Sequence, residues 1–144
     1  MKRTGSAVWR GSGKEGSGTL TTPSGVLKAQ PYSTKVRFED ESGLTGTNPE
    51  ELVAAAHAGC FNMAASFGFT RAGFPPEELK TDAIITLEQQ GVHWSLTKVV
   101  LQLDARIPGI SEEDFHRIAA ETKGGCPISR ALSVPIELEA RLHK

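Results

Sequence analysis

Residues 52–67 read L-V-A-A-A-H-A-G-C-F-N-M-A-A-S-F, without a single Asp, Glu, Lys or Arg. A helix that is apolar nearly all round is a buried helix, covered on most of its sides. A start signal precedes it. Asn48 serves as the cap, Pro49 occupies the first helical position, and Glu51 follows three residues after the cap. Its many Ala and Gly residues let other backbone approach closely, and Pro75-Pro76 is expected to end the element. The apolar run is shorter than the roughly 20 residues a membrane span needs. No membrane segment is expected, and the stretch reads as a central core helix.

Elsewhere the pattern changes to alternation. Ala83, Ile85 and Leu87 alternate with Thr86 and Glu88, and Gly91 lies in the turn that follows. Val99, Leu101, Leu103, Ala105 and Ile107 alternate with Val100, Gln102, Asp104 and Arg106. Near the end, Ile136, Leu138, Ala140 and Leu142 alternate with Glu137, Glu139 and Arg141. Each predicts a strand with one apolar face. Residues 6–10 and 18–22 read as short strands around a glycine turn. Residues 34–39, with Val36 and Phe38 between Lys35 and Arg37, read as another strand. Residues 111–123 form an amphipathic helix opened by Ser111 and closed by Gly124-Gly125, and a short helix starts at Cys126-Pro127. The expected class is α+β: antiparallel sheets wrapping a buried central helix, in one domain over residues 1–144. So uncharged a helix exceeds what one small chain can cover, so a homodimer is expected.

Charge excludes some partners. Sixteen Lys+Arg face 17 Asp+Glu, a formal net charge of -1. No basic excess is available to neutralise phosphates, so nucleic acid is not an expected partner. The start, Met1-Lys2-Arg3-Thr4-Gly5-Ser6, leads into no apolar signal segment, so the cytoplasm is the default compartment. Residues 11–16, G-S-G-K-E-G, match G-x-G-x-x-G by letter, but strand residues follow where a nucleotide site needs a helix. A hairpin turn is the better expectation. The histidines at 57, 93, 116 and 143 make no metal-ligand spacing, and His57 with Cys60 supplies only two ligands, so no metal is expected.

The two cysteines, Cys60 and Cys126, form no C-x-x-C motif and no disulfide framework. Either can be a small buried hydrophobe. Cys126 follows two glycines and precedes Pro127, so it sits at a helix cap, where free N–H groups and the helix dipole favour a thiolate. A capping residue that never reacts is the alternative. Cys60 lies mid-helix in apolar company, where burial raises a thiol pKa. To react it needs a cation, either His57 one turn away or Arg37 paired with Glu50 or Glu51. The alternative leaves Arg37 on a solvated strand face. Glu50 and Cys60 are ten residues apart, roughly 15 Å on a straight helix. If both serve one site, the helix breaks or a second chain contributes.

T-N-P-E-E-L-V-A-A-A-H-A-G-C-F (residues 47–61) and G-G-C-P-I-S-R-A-L (residues 124–132) resemble the OsmC/Ohr family of hydroperoxide reductases. The likeness extends through S-G-V-L-K-A-Q-P-Y (residues 24–32), the Arg37 segment and I-P-G-I-S (residues 107–111). The H-A-G-C form looks like the OsmC branch. The resemblance implies an intertwined homodimer with sites at the subunit interface. It also implies a cytoplasmic peroxidase for organic hydroperoxides, weaker on hydrogen peroxide, serving oxidative and osmotic stress defence. Cys60 matches the peroxidatic cysteine, Cys126 the resolving cysteine, Arg37 the arginine that activates the thiolate, and Glu50 the glutamate that orients that arginine. No metal, haem or flavin is implied, only an external dithiol of lipoyl type as reductant. Phe61 and Met63, with Phe67, are the expected apolar contacts for an organic peroxide. Rival expectations are a hot-dog-type thioesterase working through Glu50, a non-enzymatic stress or binding protein on the same scaffold, and a dithiol–disulfide exchanger without peroxidase activity.

Overall fold

The computed structural model describes Met1–Lys144 as two compact units, Met1–Leu52 and Val53–Lys144, where length predicted one domain. In the first, β1 (Ser6–Arg10), β2 (Ser17–Thr21) and β3 (Gln30–Ser33) form an antiparallel sheet in that order. The glycine motif is the hairpin turn between β1 and β2. Gly11 takes φ 91°, and the Gly16 N–H donates to Ser12 O at 2.8 Å. Only glycine adopts that backbone conformation at little cost.

Residues 34–39 are not a strand. α1 (Thr34–Phe38) is a short helix, capped by Ser33, whose side-chain oxygen accepts the Val36 N–H at 3.2 Å. Six residues of alternation are too few to separate a period of 2 from one of 3.6, and the serine cap decides.

α2 (Pro49–Arg71) begins as expected: Asn48 Oδ1 accepts the Glu51 N–H at 2.8 Å. It ends before Pro75-Pro76. Gly73 turns left-handed at φ 91°, and the Phe74 N–H reaches back to Phe69 O at 2.9 Å. At 23 residues α2 is longer than its uncharged run and would span a bilayer by length and apolarity. Within the chain it behaves as a core helix. His57, Phe61, Ala65 and Phe69 make one buried stripe at four-residue spacing, while Met63 and Phe67 on another side are two-thirds exposed. The apolar-all-round pattern therefore resolves into one packed stripe and an open remainder.

The second unit holds β4 (Glu78–Gln90), β5 (His93–Arg106), α3 (Glu112–Gly125), α4 (Pro127–Ala131) and β6 (Ile136–His143). In the sheet β4-β5-β6 the register sets Leu101 between Ala83 and Leu138, and Leu103 between Thr81 and Ala140. Val99, Leu101, Leu103 and Ala105 of β5 are buried together with Phe61, Ala65 and Phe69 of α2 and Phe115, Ile118 and Ala119 of α3. Phe69 and Phe115 stack with ring centroids 5.8 Å apart. β4 and β5 are antiparallel, but β5 and β6 are parallel, so the sheet is mixed. The reason is the connection: α3 and α4 lie between them, and a helical crossover returns the next strand in the same direction.

Candidate active site

Two helices bring the cysteines together. Cys60 lies in α2. Cys126 is the residue at which α3 ends and α4 begins, its N–H donating to Thr122 O at 2.9 Å. α3 approaches α2 closely at Gly68, where an added Cβ would stand 3.2 Å from Ile118 Cγ2 and 3.2 Å from Thr122 Oγ1. Asn62 holds α2 against β4, donating to Leu79 O at 3.2 Å and accepting the Thr81 hydroxyl at 2.6 Å. The result is a pair of free thiols joined by a sulfur–sulfur hydrogen bond of 3.2 Å. A movement of about 1 Å would close that gap to a disulfide, whose length is about 2.05 Å. Cys126 is fully buried and Cys60 is partly exposed.

The electrostatics separate the two sulfurs. Burial pushes the Cys60 thiol above its ordinary value; the Ile128 N–H pulls it back in part, and the adjoining Cys126 raises it further. Burial works against a Cys126 thiolate as well. There it is outweighed by the Ser129 N–H, the Cys60 thiol, the Ser129 hydroxyl and the Ile128 N–H, and the thiol is lowered. No N–H of α4 closes a complete capping hydrogen bond to the sulfur, so these groups act as nearby dipoles. Within the chain the thiol that is lowered is Cys126, the one at the helix cap, and the one that is raised is Cys60. His57 is not a cation for Cys60. It is fully buried, and burial holds its pKa below the ordinary value, so the ring is neutral.

Arg37 and Glu50 meet in the first unit. Arg37 Nη2 donates to Glu50 Oε1 at 2.5 Å and Nε to Oε2 at 3.2 Å, a bidentate clamp. The Arg37 guanidinium also lies 4.8 Å from the Phe38 ring centroid. Glu51, the other candidate carboxylate, accepts the Thr47 hydroxyl at 2.7 Å instead. The helical form of α1 thus gives Arg37 a charged partner rather than a solvated strand face.

With two thiols in contact and an arginine held by a glutamate, comparison with known proteins becomes decisive. A family model described as OsmC-like protein matches residues 39–140. The chain belongs to the OsmC-like family. It is 43% identical over 142 residues to peroxiredoxin OsmC of Escherichia coli (strain K12), covering 99% of this chain and 97% of that protein. It is 26% identical over 104 residues to organic hydroperoxide resistance protein-like 2 of Staphylococcus saprophyticus, covering 70% of each. Among solved structures, an OsmC-like protein of unknown function from Vibrio cholerae matches with a TM-score of 0.77 at 16% identity, covering 98% of this chain and 99% of that one. The organic hydroperoxide resistance protein OhrB of Bacillus subtilis matches at 0.69 and 22% identity, covering 96% and 98%. These two share the fold.

For this OsmC-like chain one expected substrate contact needs correction. Phe61 is fully buried in the core, because it shares the α2 stripe with His57, Ala65 and Phe69. Met63 and Phe67 face outward and line an open groove of about 550 Å³ with Asn62, Ser66 and Thr70. Ser129, one turn into α4, is the residue that reading the sequence missed. Its only sequence signal is a hydroxyl three positions after a helix-capping cysteine.

Proposed function

We propose that this chain is a thiol-dependent peroxidase that reduces organic hydroperoxides, and hydrogen peroxide more weakly, in the cytoplasm under oxidative or osmotic stress. The reading rests on one observation above all: two free sulfurs 3.2 Å apart, one partly open and one buried. A peroxide reaches the open sulfur. Cys60 thiolate attacks the distal oxygen of ROOH, the O–O bond breaks, ROH leaves, and Cys60 becomes a sulfenic acid. Cys126 then attacks the Cys60 sulfur. The S–S bond forms, and the sulfenic oxygen departs as water. An external dithiol, of lipoyl type, reduces the disulfide by exchange. No metal, haem or flavin is required, since both electrons come from the thiols.

Arg37 supplies what Cys60 lacks, a cation that favours its thiolate and steadies charge developing on the peroxide oxygens. Glu50 holds the guanidinium in position. α2 runs unbroken from Pro49 to Arg71, so Glu50 and Cys60 stand about 15 Å apart along its axis. The clamp is therefore assigned to the Cys60 of a second copy, in a homodimer. Met63 and Phe67 are the outward apolar groups available to the organic part of the substrate.

The test is intact mass before and after one equivalent of cumene hydroperoxide. The native chain should lose about 2 Da as the disulfide forms, and Cys126→Ser should show a trappable gain of about 16 Da on Cys60. Folded protein with no mass change would sink the proposal. Equal rates with peroxides and with disulfide oxidants would instead identify a plain dithiol exchanger.

A further inference from the structure

The steps above leave one buried polar contact unused. His57 Nε2 lies 2.7 Å from Ser129 Oγ, both side chains buried in a core built mainly of Phe, Leu, Val, Ile and Ala. His57 stands three residues before Cys60 on α2, and Ser129 three residues after Cys126 on α4. Residues three apart share a helix face. The contacts His57–Ser129 and Cys60–Cys126 are therefore two rungs between the same pair of helices, one turn apart. They are the side-chain hydrogen bonds that join α2 to α4 and its capping residue.

The reaction treats the two rungs differently. α4 has five residues and no side-chain cap, too short to hold itself in place. Ile128 packs on the core, but apolar contact has no preferred direction. Direction comes from the hydrogen bonds. The sulfur rung must give way, because Cys60 takes an oxygen and the sulfurs then close from 3.2 Å to about 2.05 Å. The histidine rung takes no part in that chemistry and stays. His57 Nδ1 is buried without a partner, so the neutral ring carries its hydrogen on Nε2 and donates it to Ser129 Oγ. The other tautomer would orphan a donor in the core, the rarer and costlier kind.

We propose that His57 and Ser129 are positioning residues for disulfide closure: their hydrogen bond keeps α4 docked on α2 while Cys60 carries the sulfenic oxygen, so that Cys126 reaches the Cys60 sulfur before a second peroxide does. This rests on the peroxidase reading above and deepens it. In the closing step the Cys126 sulfur attacks the Cys60 sulfur and the S–S bond forms. The S–O bond breaks, and the oxygen leaves as water with the protons of the thiol and the sulfenic acid. A second ROOH instead oxidises the waiting sulfenic acid to sulfinic acid and releases ROH, and a dithiol does not reverse that step. Closure needs a movement of about 1 Å. With Ser129 fixed one turn away, α4 pivots through that distance and does not drift.

The experiment takes two readings on the full chain. The first uses no peroxide: the chain is equilibrated with reduced and oxidised glutathione, and the dithiol-to-disulfide ratio gives the effective concentration of one thiol beside the other. Ser129→Ala and His57→Leu should each lower it about fivefold to tenfold, the scale of one buried hydrogen bond. The double variant should fall no further than either single change, since both remove the same contact. His57→Gln, whose amide N–H replaces Nε2–H, should stay within about twofold of the parent. The second reading adds excess cumene hydroperoxide. The parent should end mainly as the disulfide, about 2 Da lighter, and Ser129→Ala should send a severalfold larger share to Cys60 sulfinic acid, about 32 Da heavier. Ser129→Ala removes a single oxygen and His57→Gln keeps a donor, so these two decide the matter should His57→Leu fail to fold. Folded Ser129→Ala that matches the parent in the glutathione reading would overturn the proposal. So would His57→Gln falling as far as Ser129→Ala, or single losses that multiply in the double variant. The glutathione losses in a chain inert to peroxide would support the positioning of Cys126 and overturn the peroxidase reading alone.

Discussion

The two units of this chain place their apolar residues in opposite ways. In Val53–Lys144, Phe61, Phe69, Leu101, Leu103 and Phe115 are all sealed from solvent. In Met1–Leu52 the only buried residue is Gly16, while Val8, Trp9, Val26, Phe38 and Leu44 stand exposed, Leu44 at 88%. A three-stranded sheet with no buried face is marginal by itself. The second unit carries its own core; the first leaves its apolar groups exposed. The chemistry divides along the same line, with the sulfurs in the second unit and the Arg37–Glu50 clamp in the first.

The sharpest way to probe that division is to remove each half of the chemistry in turn. Cys60→Ser should abolish peroxide consumption altogether. Arg37→Ala should slow the peroxide step by about 10²–10³-fold, the scale of losing one charge-stabilising donor. It should slow formation of the Cys60–Cys126 disulfide by a disulfide oxidant by a smaller factor, since that reaction loses the cation beside the thiolate but no contact to peroxide oxygens. Stopped-flow rates with cumene hydroperoxide and with oxidised dithiothreitol would check both. Equal losses in the two assays would mean that Arg37 acts through the Cys60 thiol or the fold and not on the peroxide oxygens.

The next contrast is in stability. Phe115→Ala empties a sealed core position and should cost about 3–5 kcal/mol in urea unfolding. Leu44→Ala should change stability by no more than about 0.5 kcal/mol if its side chain stays in water. A Leu44→Ala loss that depends on protein concentration would place that residue under a second copy.

The smallest contrast is in acid. Burial depresses the His57 pKa below 6.5, so an unfolded chain binds the extra proton first. That contribution to stability is present above pH 6.5 and is lost as pH falls below it. In the first unit Asp40 accepts hydrogen bonds from Ser42 and then from Thr45, which hold its carboxyl well below 3.8. Its contribution is present above pH 3.8 and is lost only at stronger acid. The chain has two tryptophans, Trp9 in one unit and Trp94 in the other. Fluorescence of the Trp9→Phe and Trp94→Phe variants should show the second unit loosening first as pH falls, and simultaneous transitions would contradict that order.

Some of this was legible without coordinates, and the failures share a cause. The buried face of β5 and the Asn48 and Ser111 caps follow from local spacing, whereas the residues alone left Arg37 with Glu50 or Glu51 and the choice of Glu50 came from the family resemblance. Residues 34–39 misled because six alternating residues carry too little periodicity, and the decisive group, Ser33, lies outside the pattern. Phe61 misled because periodicity says that a residue is apolar but not which side of α2 meets the sheet. β6 alternates cleanly, yet alternation is the same in parallel and antiparallel strands. Only the helical connection that precedes it distinguishes the two.

By itself, then, the sequence determined a capped apolar helix, strands with one apolar face, and two cysteines in contexts that allow reaction. Those are local properties, set by spacing over a few residues and by the intrinsic chemistry of each side chain. Only the tertiary structure decided that sulfurs 66 positions apart lie 3.2 Å from each other, that Cys60 is the open one, and that Ser129 and His57 stand behind Cys126. Such facts depend on how α3 and α4 cross over the sheet and dock on α2, a non-local outcome of packing that no short stretch of sequence encodes.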